Sequence, residues 1–205
     1  RIMALLGEHI YLAVVPILLA LALAMVIGLL AVRYPRSYPP ILTLSSTFYT
    51  VPSIALFVIL PGILGTKILD PVNVIIALTI YSLALLVRNV VEGLRATSPE
   101  VRQSALAMGY KPSRQLVEVE LPIAAPLIFA GLRVATVANI AMVSVGALIG
   151  VGGLGELMTE GFQRRFLTPL VVGLVLSVAL ALVADTAIVL LQRWMTPWAR
   201  IARQS

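Results

Sequence analysis

Gln103-Ser104-Ala105-Leu106-Ala107-Met108-Gly109-Tyr110-Lys111-Pro112-Ser113-Arg114-Gln115-Leu116-Val117-Glu118-Val119-Glu120-Leu121-Pro122 is a polar island near the middle of an apolar chain. Ser98 can cap a helix that begins at Pro99, with Glu100 in its electrostatically favourable first turn. Val101, Ala105 and Met108 fall on one face of that helix, and Gly109 stops it as a left-handed C-terminal residue does. Pro112 permits a second short helix through Glu120, which Pro122 ends. The expectation is a small helix-turn-helix over residues 96–121, outside the bilayer and between two spans.

What surrounds the island decides the class. Of 205 residues, 60% are hydrophobic and 12% charged, about half the charged share of an ordinary soluble domain. The chain therefore reads as an all-α integral membrane protein of one domain, residues 1–205, with about five transmembrane helices. The approximate spans are 10–32, 41–64, 71–92, 123–150 and 168–191, so the polar hairpin lies between spans 3 and 4. The run from Ile10 to Val32 alone gives roughly 35 Å of helix, enough for a hydrocarbon core of about 30 Å. It reads as a retained span, not a cleaved signal peptide. Pro61, Gly62 and Gly65 end the second helix.

The formal net charge of +6 raises nucleic-acid binding, but the basic residues cluster at the ends of apolar runs. They behave as topology signals. With the N-terminus outside, Arg33, Arg36, Arg95, Arg102, Lys111, Arg114, Arg193, Arg200 and Arg203 all lie in the cytoplasm. Only Arg1, Lys67, Arg164 and Arg165 remain outside. The positive-inside rule thus gives N-out, C-in and a cytoplasmic hairpin.

Candidate sites within the spans are few. Thr43, Ser46, Thr50 and Ser53 recur on one helix face beside Pro52, which frees the carbonyl of Phe48 and should kink the span. With Asn139 they could line a polar pathway; interhelical packing by hydroxyls accounts for them equally well. Arg88 and Glu92 are four apart and read as an anchoring pair. Arg133 and Asp185, the charges set deepest, are functional candidates by default, but a stabilising pair or snorkelling to the interface accounts for them equally well, and the reading leans toward structure. Gly146 and Gly150 have the small-xxx-small spacing of close helix approach.

Several motifs are missing or misleading. Gly150-Val151-Gly152-Gly153-Leu154-Gly155 satisfies G-x-G-x-x-G, yet no strand-turn-helix unit surrounds it. Those glycines are expected to allow tight packing or a broken helix at the outer mouth. Gly62 to Lys67 comes nearest a P-loop but continues with Ile68, so the chain has no ATPase motif. Neither H-E-x-x-H nor G-x-S-x-G occurs, and cysteine is absent. His9, the lone histidine, reads as an interfacial anchor before the first span. No catalytic residue and no metal ligand is assigned.

The central stretch resembles the EAA loop of ABC importer permeases: Glu-Ala-Ala, three residues, Gly, nine residues, then Ile-x-Leu-Pro. Gln103-Ser104-Ala105 stands in the first place, Gly109 follows, and Val119-Glu120-Leu121-Pro122 closes the pattern. Gln103 replaces the acid and Ser104 an alanine. Tyr49-Thr50-Val51-Pro52-Ser53 with Ala55 is similar to a segment of the glycine betaine/carnitine/choline branch. So are Leu121 to Arg133 and Ala147 to Gly155, though the methionine-uptake branch carries a like glycine segment.

The resemblance implies a MetI-like type I importer core that moves a small osmoprotectant such as glycine betaine, choline or carnitine. Import of another small solute, such as methionine, is the alternative, and ATP-independent secondary transport a more distant one. It implies a prokaryotic cytoplasmic membrane, a second permease subunit (identical or paralogous), a cytoplasmic ATPase dimer that holds ATP and magnesium, and an external substrate-binding protein. Lipid is a partner and nucleic acid is not. Gln103, Ser104, Ala105, Met108, Gly109, Leu121 and Pro122 would form the ATPase-coupling segment.

Overall fold

A computed structural model describes residues 1–198; Arg200 and Arg203 lie outside the described residues. Helices account for every regular element among them: α1 (Ile2–Arg33), α2 (Tyr38–Thr50), α3 (Ser53–Leu64), α4 (Pro71–Arg95), α5 (Pro99–Ala107), α6 (Pro112–Gln115), α7 (Leu121–Gly146), α8 (Gly155–Gln163) and α9 (Leu167–Met195). Three elements, α1, α4 and α9, have the length and apolar run to cross a bilayer, and so does the continuous helical stretch Pro112–Ile149. The fifth apolar segment is broken: α2 with its preceding turn meets α3 at 101°. It makes a fifth span only if the bent pair crosses as one.

The break sits where Pro52 predicts a kink but is far sharper. Val51 and Pro52 are both extended, with ψ of 129° and 130°, so the chain leaves the helix and restarts at Ser53. The phenol of Tyr81, on α4, donates to the freed carbonyl of Val51. A partner from a neighbouring helix thus satisfies a backbone group that lipid could not. Pro61 does not end α3, contrary to expectation. The helix runs on to Leu64, and Gly65 closes it with φ +68°.

Two apolar cores hold the bundle. Leu12, Phe57, Val74, Leu78, Ile140 and Val143 join α1, α3, α4 and α7 near one end. Ala20, Ala24, Val90, Leu94, Ala124 and Ala135 join α1, α4 and α7 near the other. Small residues bring the axes close, as membrane helices require when lipid is as apolar as the contact. At Gly28 a Cβ would stand 2.5 Å from Cγ1 of Val90. By contrast α9 leans on α7 and α8 and leaves most of its length uncovered.

His9 corrects another expectation. It lies inside α1, fully buried, with Nε2 3.0 Å from the carbonyl oxygen of Ile140 on α7. The helix begins eight residues before the apolar run and carries His9 into the core. Between the fourth and fifth expected spans, the residues from Gly155 onward form α8. Gly146 and Gly150 are not a helix-packing pair either, because a 3-10 turn separates them and Gly150 has φ +85°.

Candidate functional site

The segment between α4 and α7 is built from local rules. Oγ of Ser98 accepts from the N–H of Val101 at 3.4 Å and caps α5. The same side chain, followed by Glu100's own N–H, holds the Glu100 carboxyl below its ordinary pKa. At the other end the N–H of Tyr110 donates to Ala105 at 3.1 Å and that of Gly109 to Leu106 at 2.9 Å. This is the Schellman pattern, with Gly109 at φ +82° supplying the left-handed residue.

Bracing comes from both flanks. Nη2 of Arg102 donates to the carbonyl of Leu94 at 2.9 Å, and its Nε lies 3.5 Å from Glu120. Glu120 also accepts from Gln115 Nε2 at 2.9 Å. Arg95 lies over the Tyr38 ring at 3.8 Å, and Arg114 over Tyr110 at 4.6 Å. Arg102 thus ties the loop to the end of α4 and, with Gln115, to the turn before α7, while Arg95 ties the end of α4 to α2.

Within α5 the expected shared face divides. Ala105 is buried at 1% exposure, while Met108 is exposed at 69% and Leu106 at 55%. Gln103, Ser104 and Gly109 are exposed too. Ala105 is a packing residue of the loop, and the outward surface is made by its neighbours.

The second half of the hairpin differs from expectation. Pro122 ends nothing: α6 passes through a π-turn at Leu116–Glu120 straight into α7, the N–H of Leu121 reaching back to Leu116. The wider turn lies just where Pro122 would crowd the carbonyl four residues earlier, that of Glu118. Leu121 and Pro122 are half-buried in this first turn of α7.

The hydroxyl stripe is real but shorter and differently composed. Thr43, Ser46 and Thr50 share a face of α2 with Thr47, whereas Ser53 is cut off beyond the break. Thr43, Ser46, Thr47 and Thr50, with Leu42 and with Arg88 of α4, line an open groove of about 460 Å³. Thr47 was legible, since 43, 47 and 50 keep helical spacing; Arg88 was hidden by its reading as a partner of Glu92. That partner stands 3.8 Å away. Asn139 is elsewhere: it is buried between α4 and α7, its Oδ1 accepting from Ser82 at 2.9 Å.

Two further features bind the opposite part of the bundle. Arg133 and Asp185 form a two-pronged ion pair between α7 and α9. Beside it a groove of about 520 Å³ runs along α7, α8 and α9, with Ser144, Ser177 and Asp185 as its polar lining. The glycine segment packs against α1: at Gly153, with φ +47°, a Cβ would lie 2.6 Å from the Leu5 carbonyl oxygen. Gly150, Gly152 and Gly155 complete this turn between α7 and α8.

The site thus consists of a polytopic helical bundle with an outward-facing polar loop between α4 and α7. The chain belongs to the binding-protein-dependent transport system inner membrane component family, whose model matches residues 17–197. It is 34% identical over 195 residues to the osmoprotectant import permease protein OsmW of Salmonella typhimurium, covering 93% of this chain and 89% of that protein. It is 30% identical over 190 residues to the choline transport system permease protein OpuBB of Bacillus subtilis, covering 93% and 86%. The fold is that of a subunit in the inward-facing MetNI methionine ABC transporter, at TM-score 0.81, 21% identity and coverage of 95% and 96%. The chain is accordingly a multi-pass inner-membrane permease component, and the MetI-like fold expected from the sequence is found.

Proposed function

We propose that this chain is the permease subunit through which an ATP-driven importer passes a small osmoprotectant, of the class of glycine betaine, choline or carnitine. The names of the relatives in Salmonella and Bacillus support the substrate class. The observation that carries the mechanism is α5. It is a capped, braced helix whose Gln103, Ser104 and Leu106, with Met108 at its C-cap, turn outward and are left uncovered by the described residues.

Such a surface suits the groove of a cytoplasmic ATPase, which would hold ATP and magnesium. A dimer of these ATPases would pair with this chain and a second permease, identical or paralogous. An external binding protein would deliver substrate. The charge distribution supports N-out, C-in, with α5 in the cytoplasm. Because Gln103 carries no charge, the docking contact rests on shape and apolar area at Met108 and Leu106.

The test is co-purification and uptake in proteoliposomes with Met108→Glu and Ser104→Trp, both at exposed positions. Each should insert normally, lose the ATPase on purification and lose ATP-dependent uptake. Full ATP-driven uptake in both variants would remove α5 from the coupling role. Uptake that survives ATP depletion would instead favour secondary transport.

A further inference from the structure

The groove between α2 and α4 is polar in a particular sense. Oγ1 of Thr43 donates to the Pro39 carbonyl at 3.0 Å, that of Thr47 to Thr43 at 2.9 Å, and that of Thr50 to Thr47 at 2.8 Å. Each hydroxyl has one proton and two lone pairs. With the proton bound to its own helix, each threonine shows the groove only acceptor character. These three sets of lone pairs attract positive charge and cannot donate to an anion, whereas the Ser46 hydroxyl in the same groove can do either.

Arg88 supplies the opposite character. Seven residues from the end of α4, it lies about 10 Å deeper than Arg95 along the helix. Its partner Glu92 is at the edge of ion-pair range, 3.8 Å away and half exposed. The guanidinium fork therefore has donors to spare, in a shape that fits a carboxylate on two prongs. The Arg88 side chain is 59% exposed, so its guanidinium is open to a ligand.

We infer that this groove is a binding site for a zwitterion, its carboxylate taken by Arg88 and its cationic end laid along Thr43, Thr47 and Thr50. The groove is open, about 460 Å³, and its lining hydroxyls are exposed, so a ligand would lie along the surface of α2 and α4. No aromatic cage is required, because acceptor oxygens provide the negative lining. This deepens the import reading above and rests on it: the site discriminates glycine betaine and carnitine, which carry a carboxylate, from choline, which does not.

The experiment measures uptake of labelled glycine betaine, carnitine and choline by the whole complex in proteoliposomes, for the wild type, Arg88→Gln and Arg88→Lys. Arg88→Gln should raise KM for the two carboxylates about tenfold, the scale of one lost charge-assisted contact. Choline uptake should stay within about twofold, which also reports that the variant folds, and Arg88→Lys should recover part of the loss. Equal loss for all three substrates, or no change, overturns the groove assignment alone. So does a wild type that carries choline only. A wild-type complex importing none of the three overturns the osmoprotectant reading itself, and the groove assignment with it.

Discussion

Arg133 on α7 donates through Nε and Nη2 to the two carboxylate oxygens of Asp185 on α9, at 2.7 and 2.8 Å. Helix α9 is otherwise little covered, so this fork is a principal polar tie between it and the bundle. Removing one partner strands the other charge next to lipid, whereas replacing both by apolar residues strands nothing. Arg133→Met and Asp185→Leu should each lower the melting temperature in detergent. The double variant should melt above either single one. A double variant no better than the worse single would show that the pair itself stabilises the fold.

Tyr81→Phe tests the break between α2 and α3. The phenol is the hydrogen-bond partner of the Val51 carbonyl, and its ring meets Tyr49 edge-on with centroids 6.3 Å apart. Losing the hydroxyl should cost about 1 kcal/mol and increase hydrogen exchange at the amides of residues 48–56. Unchanged exchange there would mean that packing alone holds the corner.

Glycine substitutions should separate the turn between α7 and α8 from the helices. Gly153→Ala forces a Cβ to within 2.6–2.8 Å of Leu5 and His9, at φ +47°. A clash with rigid backbone combined with a strained conformation should cost more than about 2 kcal/mol. Gly62→Ala, in α3 with open space around it, should be neutral or stabilising by roughly 0.5–1 kcal/mol. Thermal unfolding of the two variants gives the comparison directly.

Acid should loosen α8. The Arg1 side chain, through a hydrogen bond to Glu160 and then by its charge, holds that carboxyl below its ordinary value of 4.5, and Arg164 adds to this. A carboxyl with a lowered folded pKa contributes stability that is present above 4.5 and lost as pH falls toward the folded value. Wild type should therefore lose stability below about pH 4.5 more steeply than Glu160→Gln does. Parallel acid limbs in pH-dependent melting would remove Glu160 from that transition.

Periodicity and breakers made the apolar helices, the capped α5 and the Gly109 stop legible in sequence, because each depends on residues within a few positions. What escaped depends on contacts across the fold. His9 looks interfacial until Ile140 comes beside it. Pro61 and Pro122 read as terminators because a local rule cannot see that packing, or a π-turn, carries a helix past them. Ala105 and Met108 share a face by spacing, yet Ala105 is packed inward and Met108 is open. The groove containing Arg88 needs two helices that are far apart in the chain.

The π-turn at Leu116–Glu120 leaves Pro112–Ile149 as one uninterrupted 38-residue element. At a rise of 1.5 Å per residue that is a rod of about 57 Å. One end abuts α5 and the other meets the glycine turn that presses on Leu5 and His9. The π-turn and Pro126 both fall within its first half, so any bending along this element is concentrated next to α5 and leaves the stretch that reaches the glycine turn as regular helix.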